Sequence, residues 1–492
     1  MSIDARAVAF RRFGLGARPG DLSKPGGDVV SDLLAEVAAA TAPPQFASLG
    51  NTSQLALDYF AFVTGKRAAR MAAAGMDQEA QAQQMQAMPE TPRPQAFTPT
   101  EAQLRASRVQ PPGPHQAKPN APAMPNAVQE ALLAEFAARL TLARKASIGF
   151  GERLALFWTN HFTVGGADQA IHMIAGAFER EAIRPHLNGS FHDMLAAAES
   201  HPAMIRYLNN ERSMGPNSAA GKRQNKGLNE NLAREILELH TVGVDGGYSQ
   251  ADVTAFARAI TGWTVIPPLG NDGEPGTFVF RPNMHEPGTH HILGRDYAQS
   301  GVDQGRAVLA DLATHPKTAR HIAAKLVRHF ISDTPPPAAV AGVAAAFERS
   351  NGSLPAVHEA LLRTDAAFNE PPQKLRPPVE FVLASIRALE TDLEPQRYQR
   401  VMHLLGQQPY TAPSPQGWSD DSKAWLAPDS IRTRLEFANL LSQKVGGVRP
   451  VERAKGVLGS LLTEETQTTI ERAETAEQAL ALLLMSPDFQ RR

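Results

Sequence analysis

The chain has no cysteine among its 492 residues, which excludes disulfides, thiolate metal sites and a cysteine nucleophile, and fits a reducing or an oxidising compartment equally. It has no excess of charge either: 49 basic and 50 acidic residues leave a net charge of -1. Such a balance carries no electrostatic footprint of nucleic acid or of an anionic membrane. No stretch approaches the roughly 18 uninterrupted apolar residues of a membrane-spanning helix, and the opening MSIDARAVAFRRFGLG has no apolar run like that of a signal peptide. The chain is therefore expected to be soluble, without membrane insertion, and cytoplasmic unless it is exported with a partner. Aromatic residues make up only 6%, and no repeat recurs at a period of roughly 20–50 residues, which argues against a solenoid.

What is present is helix. Apolar residues recurring at three and four predict helices over 3–13, 31–40, 128–147, 152–162, 167–186, 191–200, 202–209, 229–240, 250–263, 305–314, 316–331, 336–350, 355–363, 377–389, 397–405, 430–444, 454–461 and 476–485. Only TFVF (277–280) and HHILG (290–294) look like strands, and they look like a pair. The expected fold is all-α, a multi-helical array or bundle with at most a short β-hairpin. Three parts are expected: an N-terminal helical part (1–66), a flexible Ala/Gln/Met/Pro-rich insertion (67–127), and the main helical body (128–492). The insertion has too few large aliphatic residues to offset its ordering entropy by burial.

Several motifs carry a plain structural reading. In RRFGLGARPG (11–20), Gly14, Gly16 and Gly20 have the wrong spacing for a dinucleotide loop and follow a helical pattern, so a glycine-capped helix end is favoured. No G-x-S-x-G and no H-E-x-x-H occurs. NGSFHD (188–193) reads as a turn and N-cap before a helix at Phe191. HEPGTHH (285–291) clusters His285, Glu286, His290 and His291, but the spacing matches no standard ligand set. No metal and no other cofactor is expected, with those four residues as the only metal candidates. In LALFWTNHFTV (154–164), Trp158 and Phe162 share one face of a helix, whose end brings Asn160 and His161 to carbonyls or to a cleft.

The richest stretch is GLNENLAREILELHTVGVDGGYSQADV (227–253). At 100° per residue Leu232, Ala233, Ile236 and Leu239 form an apolar arc, while Glu230, Asn231, Arg234, Glu235 and Glu238 fill the other face. Glu230, Arg234 and Glu238 make an i, i+4, i+8 ladder that serves equally as a surface salt-bridge row. Glu235 and Glu238, three apart, are close enough for one to raise the other's pKa in a secluded site. Gly243 is expected to cap the helix, and Ser249 with Asp252 to start the next. The loop GQQPYTAPSPQGWSDDSKAWLAPDS (406–430) concentrates Tyr410, Trp418 and Trp425.

NENLAREILELHTVG followed by GGYSQADVTAFARAITGW resembles the signature of the bacterial domain of unknown function 1800 family. RFGLGA, FWTNHF, HPAMIRYL, HPKTARHIAAKLVRHF, LRPPVEF, the GQQPYTAP and GWSDDSKAWL segments and the terminal SPDFQ extend the resemblance over the whole chain except the proline-rich insertion. The resemblance implies a large, mostly helical protein with no established activity. It also implies a partner from the domain of unknown function 1501 family, whose members look like exported, sulfatase-like proteins. Where the family commonly has an aromatic after Asn-Glu-Asn and His-Asp before Pro-Gly, this chain has Leu232 and His285-Glu286.

The favoured expectation is a binding or assembly protein working with that exported partner. The alternative is a hydrolase of an extracytoplasmic glycan or related polymer. In it Glu235 is the acid, Glu238 or Glu230 the ionised partner, Arg234 the orienting cation, and His161 with Asn160 the polar floor. Trp263, Trp418 and Trp425 would stack against sugars, with Arg376 close to the acidic face. Concavity around the three glutamates separates the two.

Overall fold

The computed structural model describes residues 4–24, 27–85, 126–166, 168–224, 227–270 and 272–492. Many of the chain's prolines stand at helix starts, where the missing N–H has no intrahelical partner to lose and the fixed φ suits the first turn. Pro202, Pro316, Pro337, Pro378, Pro395, Pro428 and Pro450 each open a helix in this way. Elsewhere side chains cap: Ser190 accepts from the Asp193 amide, and Ser249 with Asp252 forms the expected reciprocal capping box.

The helices share one apolar core. Phe13, from the N-terminal part, packs on Phe330 and Phe150 at ring-centroid distances of 5.8 and 5.9 Å. Arg387 from the Pro378–Ala388 helix donates to the carbonyls of Gly16, Ala143, Ala146 and Ser147. These contacts tie the N-terminal segment directly into the body. Trp158 and Phe162 are fully buried and stacked at 6.1 Å, as their spacing requires.

The fold is mainly α, and its few strands correct the expected pairing. β1 (Trp263–Val265) pairs antiparallel with β2 (Phe278–Phe280), and β3 (His290–Ile292) with β4 (Arg295–Tyr297). TFVF and HHILG are thus strands that find different partners, and there are two short pairs instead of one. The Gln250–Ala259 helix stops short of the expected 263. At Gly262 φ is +85°, and a Cβ would lie 2.7 Å from the Arg281 carbonyl. Only glycine allows the chain to turn there and launch Trp263 into β1.

Helical backbone also runs unbroken over Thr52–Met85, into the stretch expected to be a flexible insertion. Ala, Gln, Met and Arg, which recur in this stretch, are strong helix formers. The remainder of that expected insertion, 86–125, lies outside the described residues. No described helix is long and apolar enough to cross a membrane.

Candidate functional site

The acidic helix is the first place to look. Asn231–Glu235 is α-helical and continues as a π-helical turn, Ile236–His240, closed by Gly243, whose φ is +85°. The wider turn shifts the phase of the helix: Leu237 is buried in place of Leu239, which is half-buried. It also turns His240 inward, where its Nδ1 lies 2.7 Å from Glu199 with both side chains sealed.

The acidic residues themselves face another way. Glu230 is partly exposed and fully engaged, accepting from Thr254 and Gln250 and pairing with Arg234 at 3.2 Å. Hydrogen bonding, led by that from Thr254, holds its carboxyl below the usual range. Glu238 accepts from Tyr248. Glu235 is half-buried, and burial, with Glu238 adding, pushes its carboxyl up. None of the three lines the partly enclosed cavity beside Asn160 and Trp418.

That cavity is assembled from segments far apart in sequence. At the end of the Phe150–His161 helix, Asn160 grips the 417–420 loop: its Nδ2 donates to the Trp418 carbonyl at 2.9 Å, and its Oδ1 accepts from the Trp418 amide at 2.7 Å. Gly417 makes the approach possible, since a Cβ there would sit 2.5 Å from the Asn160 carbonyl. The grip delivers Asp420 to His329, whose Nδ1 lies 2.6 Å from the carboxylate. Lys374 donates to the Asp420 carbonyl and Trp425 to that of Ser419, so the loop is held at several points.

His329 closes the Pro316–Phe330 helix. Arg153 donates to its Nε2 at 3.3 Å, so with Nδ1–H given to Asp420 the ring is neutral and both nitrogens are occupied. Burial lowers its pKa to about 4, against the pull of Asp420. Burial pushes Asp420 up, but His329 and Lys325 outweigh it and hold the carboxyl well below its ordinary value. Behind it Glu380, 2% exposed, pairs with Arg153 at 3.1 Å and with Arg492 at 2.7 Å. The lining also includes Glu179, ion-paired with Arg139 and, at 2.8 Å, with Arg184. Burial raises both Glu179 and Glu380, but the paired arginines prevail and keep the two carboxyls below the usual range.

Aromatic rings complete the lining: Trp418, Tyr398 and Tyr410. Tyr410 sits at φ +63°, a strained setting for a bulky residue, and its hydroxyl accepts from Arg139 at 3.2 Å. The buried hydroxyls of Tyr398 and Thr159 have no hydrogen-bond partner among the described residues. About 100 Å³ of the cavity admits the centre of a water molecule, several times the roughly 10–15 Å³ that one buried water needs.

Of the residues expected to act, Asn160 and Trp418 line this cavity. His161 is buried beside it, within 5.8 Å of the His240 ring and 6.4 Å of His321. Burial, then Lys325, drives its pKa well down. Trp425 packs on Trp418. Trp263 is a core residue on β1. Arg376 is sealed, donates to the Phe489 carbonyl and stacks on that ring. His285 contacts the Thr261 carbonyl, and Glu286 accepts from the amide and side chain of Asn217. His291 pairs with Asp296, and His290 packs separately at 7% exposure. Among the described residues no group of three or more His, Asp or Glu is arranged to hold a metal ion.

Sequence reasoning passed over His329, Asp420, Glu380, Glu179, Arg139 and Tyr398. One signal was available: His321, Lys325 and His329 recur at i, i+4, i+8 and share a helix face. Burial lowers the Lys325 ammonium to about 8, against the attraction of Asp420.

The fold and the site define a mainly helical protein with a partly enclosed cavity of paired charges and aromatic rings. The chain belongs to the family described as protein of unknown function (DUF1800), whose model matches residues 8–491. No curated protein and no solved structure matches it.

Proposed function

We propose that the protein is a binding protein whose cavity takes a small polyhydroxylated ligand of about the size of a sugar ring. The observation that carries this reading is the pairing of ionised carboxylates with orphaned hydroxyls beside aromatic faces. Glu179, Glu380 and Asp420 are kept charged by their neighbours, while the hydroxyls of Tyr398 and Thr159 lack partners among the described residues. Sugar hydroxyls donate to the former and satisfy the latter, and Trp418 and Tyr410 offer planar apolar surfaces. Hydrolysis by paired carboxylates needs one of them protonated near neutral pH, and the cavity supplies none with a raised pKa.

The hydrolase alternative rests on Glu235, the carboxyl that burial and Glu238 push up. One experiment separates the two: titration calorimetry and product analysis on a panel of mono- and oligosaccharides, with Tyr398→Phe, Trp418→Ala and Glu235→Gln. The expected result is binding without turnover, weakened about tenfold or more by Trp418→Ala and untouched by Glu235→Gln. Turnover abolished by Glu235→Gln would establish the hydrolase instead. Absence of binding to every saccharide sinks the sugar-ring reading. Cooperation with an exported sulfatase-like partner of the domain of unknown function 1501 family belongs to the same proposal, and co-elution of the two purified proteins tests it.

A further inference from the structure

We infer that the ligand of the cavity is an acidic sugar of the uronate type, whose carboxylate is held by Lys325 while a neighbouring hydroxyl donates to Asp420. The inference rests on the sugar-ring reading above and deepens it. Lys325 lies one turn before His329 on the same face of the Pro316–Phe330 helix, and His329 and Asp420 both line the cavity. It therefore stands just past the end of the cavity that those two residues form.

The ammonium is unpartnered. Lys325 is half-buried, and among the described residues its Nζ has neither a hydrogen bond nor an ion pair, yet it is not sealed from solvent. Asp420 is near enough for its charge to be felt but lies beyond ion-pair distance. The Asp420 Oδ1 is taken by His329, and its Oδ2 has no hydrogen-bond partner among the described residues. A ligand that reaches both groups needs an acceptor for Lys325 and a donor for Asp420.

The surrounding side chains decide the charge of that acceptor. His161 and His321 donate Nε2–H to carbonyls left open at the end of the π-helical turn, those of His240 and Leu239, at 3.2 and 3.0 Å. Burial, then Lys325 itself, keeps both rings neutral, so neither offsets the ammonium. Arg328, exposed and without an ion pair among the described residues, adds a second positive charge. Lys374 and Arg492 also feel Asp420 but pair with Asp333 and Glu380. Two cations thus face one carboxylate. A single further negative charge balances the recess, which selects a carboxylate over a doubly charged phosphate. Burial lowers the Lys325 pKa to about 8, with Asp420 opposing and Arg328 assisting, so a bound carboxylate should raise it and draw a proton onto the protein.

Calorimetry of the full chain with glucose against glucuronate and galactose against galacturonate, at pH 8 in buffers of different ionisation enthalpy, tests this. The acid of at least one pair is expected to bind about tenfold or more tightly than its neutral partner and to take up about half a proton. In Lys325→Gln acid and neutral sugar should bind alike, and the proton uptake should vanish. The Tm of that variant without ligand should match or exceed that of wild type, since an uncompensated recessed charge is removed. A clear fall in Tm would show that the fold already compensates the ammonium, and overturns the inference. Equal binding of acid and neutral sugar by wild type, acid binding without proton uptake, or an acid preference that survives Lys325→Gln overturns it too and leaves the sugar-ring reading standing. Binding of none of these sugars, acidic or neutral, sinks that reading and the inference with it.

Discussion

Replacing Glu380 with alanine is expected to cost about 3–5 kcal/mol of folding stability, the range for breaking a buried ion pair by removal of one partner. Glu380 is 2% exposed and faces two guanidinium groups, Arg153 at 3.1 Å and Arg492 at 2.7 Å. Arg153 also donates to the Arg12 and Gly14 carbonyls, so it cannot swing out to water without undoing the N-terminal segment. Arg492 is equally confined, since the Lys374 amide donates to its carbonyl. With the carboxylate gone, two cations stay buried without compensation. Glu380→Gln keeps the shape and loses the charge, and should fall between the alanine variant and wild type. Urea unfolding followed by circular dichroism reads both. A loss under about 1 kcal/mol for the alanine variant would mean that this network contributes no more than a surface pair.

Lowering the pH from 7.5 to 4.5 should weaken the fold steeply, and buried imidazoles are the first cause. Burial lowers His358 to about 3 and His321 and His329 to about 4, and drives His161 well below its ordinary value. In the unfolded chain each titrates near 6.5. A histidine whose folded pKa is depressed contributes nothing unfavourable above 6.5; below it the unfolded state takes up the proton and the folded state does not. Stability is therefore present above about pH 6.5 and lost as the pH falls toward 4, by roughly 1.4 kcal/mol per pH unit for each ring that stays neutral.

The depressed carboxyls of Glu179, Glu380 and Asp420 act in a lower window. Their stabilisation is complete above their unfolded values near 4 and is lost below them. Glu235, with its raised pKa, works the other way and is relieved as it protonates. His358 isolates the imidazole contribution, because it is fully buried, packs on Phe150 and has neither nitrogen bonded among the described residues. In His358→Leu the urea midpoint should fall less between pH 6.5 and 4.5 than in wild type. An identical pH profile would show that this ring is protonated in the folded protein.

Much of the local structure was legible in the residues. Ser249 with Asp252, Ser190 before Phe191, and Gly243 at a helix end act within a few positions, where capping geometry depends on neighbours alone. Trp158 and Phe162 announced a buried face by their spacing. Even the family was readable, because its motifs are contiguous. The π-helical turn at Ile236–His240 was not, since nothing in the residues marks the extra residue that buries Leu237 and His240 and leaves Leu239 at the edge.

The cavity was legible only in pieces. FWTNHF supplied Asn160, and GWSDDSKAWL supplied Trp418, but their hydrogen bonds join positions 258 apart in sequence. Glutamates show the division most plainly. Glu230, Glu235 and Glu238 attracted attention because they are adjacent, yet Glu230 is engaged at the surface. Glu179, Glu380 and Asp420, unremarkable in the sequence, hold the buried charge. By itself the sequence determined a helical chain, its caps, its apolar faces and its family, all set by residues within a turn or two of each other. Which carboxylates are buried, which arginines neutralise them and which hydroxyls are left waiting was decided by the tertiary structure alone, because burial and charge pairing depend on segments that meet only when the helices pack.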